Sequence, residues 1–535
     1  MSAKIKYWEK YCYEINHQTK LKHVWNKVRE LKNSNSSNII VKNVDGNLID
    51  DQVLADNFAN IFKSTTSSLD TDTDCNKNRS NVVTNYCNNL SYYKSTLSES
   101  TIKDSHMINE PFTLSELDKV IKYVNIRSSP GLDDIPFTLY RHSPHNVKSF
   151  LLDIINLSWE HNDIPPSWKH AIVKPILKPG KDKNDLNSYR PIALTNTISK
   201  LTEKLIVNRL SWYLEKNNLL NPSQAGFRKH RSTCDPIIRL HQEAEFSIKS
   251  GFVTVGVLID FSKAFDLLWV DGLLLKMMSL NISGKLLNWT KNFLSNRTYQ
   301  VKVGDAVSYE YSNLNGTPQG SSYSPLLFLI MVNDFPKMSL HTSDGFFADD
   351  CTIWRSGINI ESVLHHLQQD LNKISEWCNK WGFVINTNKT TGIVFTNKKI
   401  NILNISLKIN ELIKFENTCR LLGVIMDSHL TWSPHINYLV EKSNKGLNLM
   451  RCLSGTGWGS SKRVLLTLHK SLILSNLDYC SFVYLNASAS TLKKIDTIQY
   501  KSLLIVVGGM KGAALNALLG ECGEVPMDLR RKKYS

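Results

Sequence analysis

GVLIDFSKAF at 256–265 and GFFADDCTI at 345–353 are the stretches that decide how this chain reads. Each sets carboxylates at the edge of an apolar run. Residues 252–261 are expected to form a strand closing on Asp260, followed by a helical segment with Leu273, Leu274, Met277 and Met278. Residues 345–354 surround a turn and predict a hairpin with Asp349 and Asp350 at its tip. Adjacent carboxylates in an apolar hairpin are costly unless they are exposed or neutralised by cations. Taken alone, Ala-Asp-Asp is most simply a polar turn, where Asp is common. Two acidic sites on strand ends have a second explanation, since two divalent ions would offset their charge and require them to converge. One ion would lower the pKa of an attacking hydroxyl while the other held a triphosphate and its departing pyrophosphate. Magnesium suits hard carboxylate and phosphate oxygens. On this reading Asp260 and Asp349 are direct ligands, with Asp350 beside them keeping the site electronegative.

Two further stretches suit an anionic ligand. WKHAIVKPILKPGKDKNDLNSYRPI carries Lys169, Lys174, Lys178, Lys181, Lys183 and Arg190, broken by Pro175, Pro179 and Gly180. A solvated basic loop is the plain reading. Beside a two-metal site, Lys174 or Lys178 and Arg190 become clamps for a triphosphate. No G-x-x-x-x-G-K-[ST] loop is present. GTPQGSSYSPLLF at 316–328 is turn-rich and then abruptly apolar. Gly316 and Gly320 would let backbone approach a ligand closely, and Gln319 offers a neutral donor and acceptor.

The whole chain agrees with a polyanionic partner. Its 535 residues carry 64 Lys and Arg against 48 Asp and Glu, a formal charge of +16, and phosphate neutralisation releases condensed counterions. Ten cysteines are scattered without a C-x-x-C pair, which argues against a zinc knuckle and suits a reducing, intracellular compartment. The first residues, MSAKIKYWEK, have no secretory apolar core, and LLFLIMV at 326–332 is too short to span a bilayer. Residues 1–32 alternate aromatics with lysines, either as an amphipathic packing arm or as a template-contacting one. Residues 64–108 are polar with little periodicity and predict a linker or a partly ordered insertion. Thr113 and Glu116 fit a capping box ahead of Leu117, Val120 and Ile121. Residues 194–214 read as one amphipathic helix, 383–385 and 393–395 as a pair of short strands, and the chain beyond His435 as mostly helical.

The motifs occur in an order that resembles one family. SSPGLDDIP (128–136), LKPGKDKNDLNSYRPIALTNTISKLTEKLIVNRL (177–210) and NPSQAGFRKHRST (221–233) come first. LIDFSKAFDLLW (258–269), GTPQGSSYSPLLF (316–328), FFADD (346–350), INTNKT (385–390) and LLGVIMDSHLTWSPHI (421–436) follow. Together they resemble the reverse transcriptase of non-LTR, LINE-type retrotransposons, most closely the jockey-like group. The resemblance implies an α+β right-hand polymerase fold with fingers, palm and helical thumb. Its expected division is a basic N-terminal extension at 1–63, a polar linker at 64–108 and fingers with the start of the palm at 109–250. The palm follows at 251–425, with the nucleotide-positioning loop at 316–328, then the thumb and C-terminal extension at 426–535.

By resemblance the chain would extend a primer 3′-hydroxyl with dNTPs on an RNA template, holding an RNA–DNA duplex, two Mg2+ ions (Mn2+ as substitute) and no membrane. Asp260, Asp349 and Asp350 would be catalytic and metal-binding. Nucleotide contacts would come from Lys174, Lys178, Arg190, Phe261, Phe265, Gln319, Gly320 and Lys389, and primer contacts from Leu422 and Gly423. Lys389 matches a palm lysine proposed to assist pyrophosphate departure, although a surface ion pair is the plainer reading. Phe265, five places after Asp260 at the start of a helix-like segment, would lie beneath the sugar and leave no room for a 2′-hydroxyl. RNA polymerases commonly have Asp at that spacing; here Asp266 comes one place later and its side chain is expected to point elsewhere. Phe346 and Phe347 depart modestly from the Ala-Tyr of many relatives. Neither the endonuclease that usually precedes this region nor the ribonuclease H that sometimes follows it is read here. The chain is therefore expected to be a fragment or a shortened copy, in nucleus and cytoplasm. An RNA-dependent RNA polymerase and an inactive, element-derived RNA-binding protein are the alternatives.

Overall fold

Val253, Val255, Val257 and Ile259 recur at every second residue and are almost completely buried, the pattern of a strand with a core on that face. In the computed structural model, which describes residues 41, 49–67, 73–88, 98–313, 315–455 and 459–533, they form β3 (Val253–Asp260). This strand is the middle of a five-stranded sheet. It pairs antiparallel with β8 (Asp350–Gly357) on one side and β9 (Thr391–Phe395) on the other. The outer places are taken by β7 (Thr342–Phe347) beside β8 and β12 (Lys414–Phe415) beside β9.

The two faces of this central sheet feed different cores. Val255, Val257 and Ile259 of β3 with Cys351, Ile353 and Val394 join the cluster built by helices Val270–Ser279, Ser324–Met331 and Ile360–Trp381. Trp354, Ile393 and Phe395 point the other way, onto helix Cys234–Lys249 and the C-terminal helices Ser433–Cys452 and Ala489–Val507. Gly256 lies between Trp354 and Ile393 on the neighbouring strands.

A second sheet stands apart. β1 (His170–Leu177) pairs antiparallel with β2 (Tyr189–Thr195) and parallel with β4 (Arg297–Val303). Two short strands, β5 (Ala306–Val307) and β6 (Tyr311–Asn313), also pair with β4. Helix Asp51–Ser67 covers this sheet through Leu54, Ala55, Phe58 and Ala59.

Several expectations change. The stretch read as a linker contains helices Thr73–Asn88 and Glu99–Met107, and helix Asp51–Ser67 crosses its expected boundary. Packing supplies what periodicity lacked: Val82 and Val83 lie on the main core, and Arg79 stacks over Trp269 at 5.3 Å. Leu194 and Thr195 end β2, so the helix spans Thr197–Lys216. Ile385 makes an isolated bridge to Phe261 instead of a strand paired with 393–395. Residues 262–267 turn and bend, the helix beginning only at Val270, so Phe265 is not at a helix start. The expected hairpin at 345–354 and the Thr113 capping box both form. The arm at 1–32 lies outside the described residues. No described helix is long and apolar enough to cross a membrane.

The loop at 316–322 is fixed to helix Thr197–Lys216 by one buried carboxylate. Glu203 accepts hydrogen bonds from Ser321 Oγ at 2.6 Å, Ser322 N at 2.9 Å and Ser199 Oγ at 3.2 Å. Glu203→Ala strands these donors and is expected to cost about 1–3 kcal/mol. Chemical denaturation measures it: a lower midpoint at unchanged slope is expected, and an unmoved midpoint would refute the anchoring.

Candidate active site

Asp260 ends β3 and Asp350 opens β8, and the two stand directly opposite each other in the antiparallel register. The β7–β8 hairpin closes on the pair Phe347 and Asp350, leaving Ala348 and Asp349 as a two-residue turn. Ala348 has φ 57°, the left-handed conformation such tight turns demand and an alanine resists. Pairing across the sheet thus brings the three carboxylates together. All three line one cavity of about 740 Å³.

Burial is the largest cause raising Asp349, and Asp260 adds to it, while Arg190 and Lys389 oppose. Asp350 reaches water at the cavity mouth, yet burial, then Asp349 and Asp260, push its carboxyl up to about 6. Lys389 Nζ sits 3.2 Å from Asp260 Oδ2. It is delivered there by the turn at 386–390, whose Asn386 N donates to the Asp260 carbonyl at 2.8 Å and whose Thr390 Oγ1 accepts from Asp260 N at 3.4 Å. The ion pair read as the plain alternative for Lys389 therefore forms, but with a carboxylate of the site.

Beside the acidic wall is a basic one. Lys178, Lys181, Arg190, Lys263, Arg297 and Lys389 all line the cavity. Burial first, then Arg190, Lys389, Lys263 and Lys181, lowers the pKa of Lys178. A lysine crowded by other cations in this way marks a ready site for an anion. Lys174 is not in this lining. Ala171 and Val173 of β1 face the cavity, so Lys174, exposed between Val173 and Pro175, lies on the strand's other face. Lys181 and Lys263 take its place. Lys263 was passed over because residues 262–267 read as a helix start instead of a turn.

Phe261 and Phe265 also line the cavity. Phe265 is half-buried, stacked on Phe328 at 4.7 Å between ring centres and edge-on to Phe227 at 6.3 Å. Packing and lining are both true of it. Asp266 lines the cavity too, but its carboxylate accepts from Gln319 Nε2 at 2.8 and 2.9 Å. Asp266, expected to point elsewhere, thus lies in the cavity lining and aims Gln319. The glycines of this loop serve protein packing rather than ligand approach. A Cβ on Gly316 would stand 2.5 Å from the Asp266 carbonyl oxygen, and one on Gly320 2.5 Å from that of Ala193. Leu422 and Gly423, with φ 48° and 93°, turn the hairpin between β13 (Thr418–Leu421) and β14 (Val424–Asp427). They lie outside the cavity lining; the Tyr479 hydroxyl reaches the Leu422 carbonyl at 2.6 Å.

Among the described residues no three acidic, histidine or cysteine side chains are grouped closely enough to hold a metal ion unaided. Magnesium does not ask for that. It keeps several waters and completes its shell with substrate phosphates, needing one or two carboxylates. Partly buried carboxylates that repel each other, beside a basic wall suited to phosphate, fit such an ion.

Residues 176–429 match the family described as reverse transcriptase (RNA-dependent DNA polymerase). The probable RNA-directed DNA polymerase from transposon BS of Drosophila melanogaster is 29% identical over 64% of this chain and 39% of its own length. The RNA-directed DNA polymerase from mobile element jockey of the same species is 29% identical over 74% of this chain and 44% of its own. The resemblance read from motif order therefore holds, and the chain spans about two fifths of the length of these relatives. Apo telomerase from Candida Tropicalis superposes with a TM-score of 0.38 at 11% identity, covering 73% of this chain and 72% of that one, too loosely to bear on the fold.

The Asp350 shift carries a sign. Its folded value of about 6 exceeds the ordinary 3.8, so the folded state holds an extra proton between those values. This group's contribution is complete at low pH and is lost as pH rises through that window. With chelator present, Asp350→Asn is expected to flatten the fall in stability between pH 4 and pH 6. Denaturation midpoints across that range measure it, and equal slopes in parent and variant would refute the shift.

Proposed function

We propose that this chain is the reverse-transcribing part of a non-LTR retrotransposon protein, extending a primer 3′-hydroxyl with deoxynucleotides along an RNA template. The observation that carries the reading is the meeting of Asp260, Asp349 and Asp350 with six basic residues in one cavity. A strongly basic chain suits RNA template, DNA primer and the duplex they form. In this reading the central sheet is the palm, the β1–β2–β4 sheet belongs to the fingers, and the helices after residue 432 are the thumb. The place of work is intracellular, in nucleus and cytoplasm.

Two magnesium ions, for which manganese can substitute, would lower the pKa of the attacking hydroxyl and stabilise charge on the transferring phosphoryl group. Asp260 and Asp349 hold them, and Asp350 keeps the wall negative. Lys178, Lys181, Arg190 and Lys263 bind the triphosphate, its charge replacing their mutual repulsion. Lys389 stands beside Asp260 with a proton to give to the departing pyrophosphate. Phe261 and Phe265 form the apolar floor for the sugar, with Gln319, aimed by Asp266, beside them. Gly320 shapes that loop, and Leu422 and Gly423 support the primer end from their hairpin. The engagement of Asp266 with Gln319 weighs against an RNA polymerase, which would need a free carboxylate for the ribose.

Primer extension on an RNA template in magnesium, with dNTPs and rNTPs compared, tests the reading. Asp260→Ala and Asp349→Ala are each expected to abolish extension while template binding persists, because backbone affinity is spread over many basic residues. Extension near the parental rate by either folded variant would sink the assignment. A parent that binds RNA without extending would instead favour the inactive RNA-binding alternative.

Phe265→Val tests the sugar floor. Removing the ring opens room for a 2′-hydroxyl, so the ratio of rNTP to dNTP incorporation is expected to rise at least tenfold, equivalent to about 1.4 kcal/mol of discrimination. Unchanged discrimination in a folded, active variant would defeat the gate.

A further inference from the structure

One motif remains without a role. NPSQAGFRKHRST at 221–233 holds no carboxylate or cavity-lining cation, yet its middle lies against the aspartate turn. Gln224 makes an isolated parallel bridge to Phe346 of β7. Phe346 N donates to the Ser223 carbonyl at 3.0 Å, and Ala225 N donates to the Phe346 carbonyl at 2.9 Å. Gln224 follows the turn with its side chain. Its Oε1 accepts from Ala348 N at 3.1 Å and from Gly226 N at 2.8 Å, and its Nε2 donates to the Ala348 carbonyl at 3.2 Å. Gln224 is 3% exposed, so no water competes for these bonds. The approach is so close that a Cβ on Gly226 would stand 2.1 Å from Ala348 N.

The strained residue explains why such a clamp is needed. Ala348 is 8% exposed and holds a positive φ, so its amide and carbonyl sit in a turn with little access to water. Left alone, an alanine there would relax toward negative φ and carry Asp349 with it. The Gln224 amide satisfies both polar groups of Ala348 at once. The clamp is itself held. Arg228 donates to the Asn221 carbonyl at 2.9 Å and pairs with both oxygens of Glu215, at 2.9 and 2.7 Å, on helix Thr197–Lys216.

We propose that Gln224 is a positioning residue for catalysis: its side-chain amide locks the Ala348 peptide in the left-handed turn and so fixes the Asp349 carboxylate facing Asp260. This rests on the polymerase reading above. Misplacing a ligand by an ångström slows chemistry far more than it weakens binding.

Gln224→Met removes all three bonds at similar volume, and Gln224→Glu keeps the shape and acceptor while losing the donor to Ala348. In single-nucleotide extension, each is expected to lower kcat roughly tenfold or more, with dNTP KM and template–primer Kd within about twofold of the parent. Adding Ala348→Gly, which holds positive φ without support, is expected to restore part of kcat in the Gln224→Met background. A damaged core would instead lower affinity as well and gain nothing from Ala348→Gly. A kcat within about twofold of the parent in either folded variant, or no restoration by Ala348→Gly, overturns the proposal. If Gln224→Met does not fold, Gln224→Glu and its own pairing with Ala348→Gly decide by the same criteria. A parent without extension activity tells against the polymerase reading and not against the clamp, which loss of melting cooperativity in the turn would then report through amide exchange at Ala348.

Discussion

Two carboxylates placed opposite each other across neighbouring strands repel, and the backbone register leaves them no freedom to separate. Asp260 and Asp350 are in that position, with Asp349 one residue away. Like charges opposed on a sheet cost about 0.2–1 kcal/mol, and partial burial adds to it. The sheet accepts this because each fully buried branched side chain of β3 contributes about 1.5–3 kcal/mol. Val253, Val255, Val257 and Ile259 therefore outweigh the repulsion at the strand end. Much of the surrounding architecture follows from it: the turn at 386–390 that brings Lys389 to Asp260, the loop that brings Gln224 to Ala348, and the basic wall alongside.

That basic wall has the complementary problem. Burial first, then Arg190, Lys389, Lys263 and Lys181, holds the Lys178 ammonium below its ordinary value, a strain that a bound polyanion relieves. The cavity thus carries acidic and basic side chains in close company, Lys389 Nζ lying 3.2 Å from Asp260 Oδ2. A ligand bearing phosphates and accompanied by cations would suit both groups.

Legibility in the sequence followed the range of the interactions. β3 and the β7–β8 hairpin were readable because alternation and turn chemistry are local, and the three aspartates stood out as charges at the ends of apolar runs. Lys178, Arg190 and Gln319 were found from their motifs, and they do line the cavity. Lys174 was misplaced because strand parity alone does not say which face meets the cavity. Gln224 was invisible as a working residue, since its partner lies 124 positions away and a neutral amide announces nothing. The helices at 73–88 and 99–107 were missed because their own apolar periodicity is weak. Their support comes from contacts such as Val82 with the main core and Arg79 with Trp269.

The division of the central sheet between two cores has a consequence for how the chain is made. β3, β8 and β9 are synthesised by residue 395, and the first core can close on one face soon afterward. The other face, with Trp354, Ile393 and Phe395, has helix Cys234–Lys249 and then the hairpin of Thr418–Leu421 and Val424–Asp427 against it, and is completed only when the helices Ser433–Cys452 and Ala489–Val507 emerge. At ribosomal speeds that interval is on the order of ten seconds. During it the nascent protein displays a wide apolar surface, a natural client for chaperones. A chain broken between those points keeps that apolar face uncovered and is expected to aggregate or be cleared.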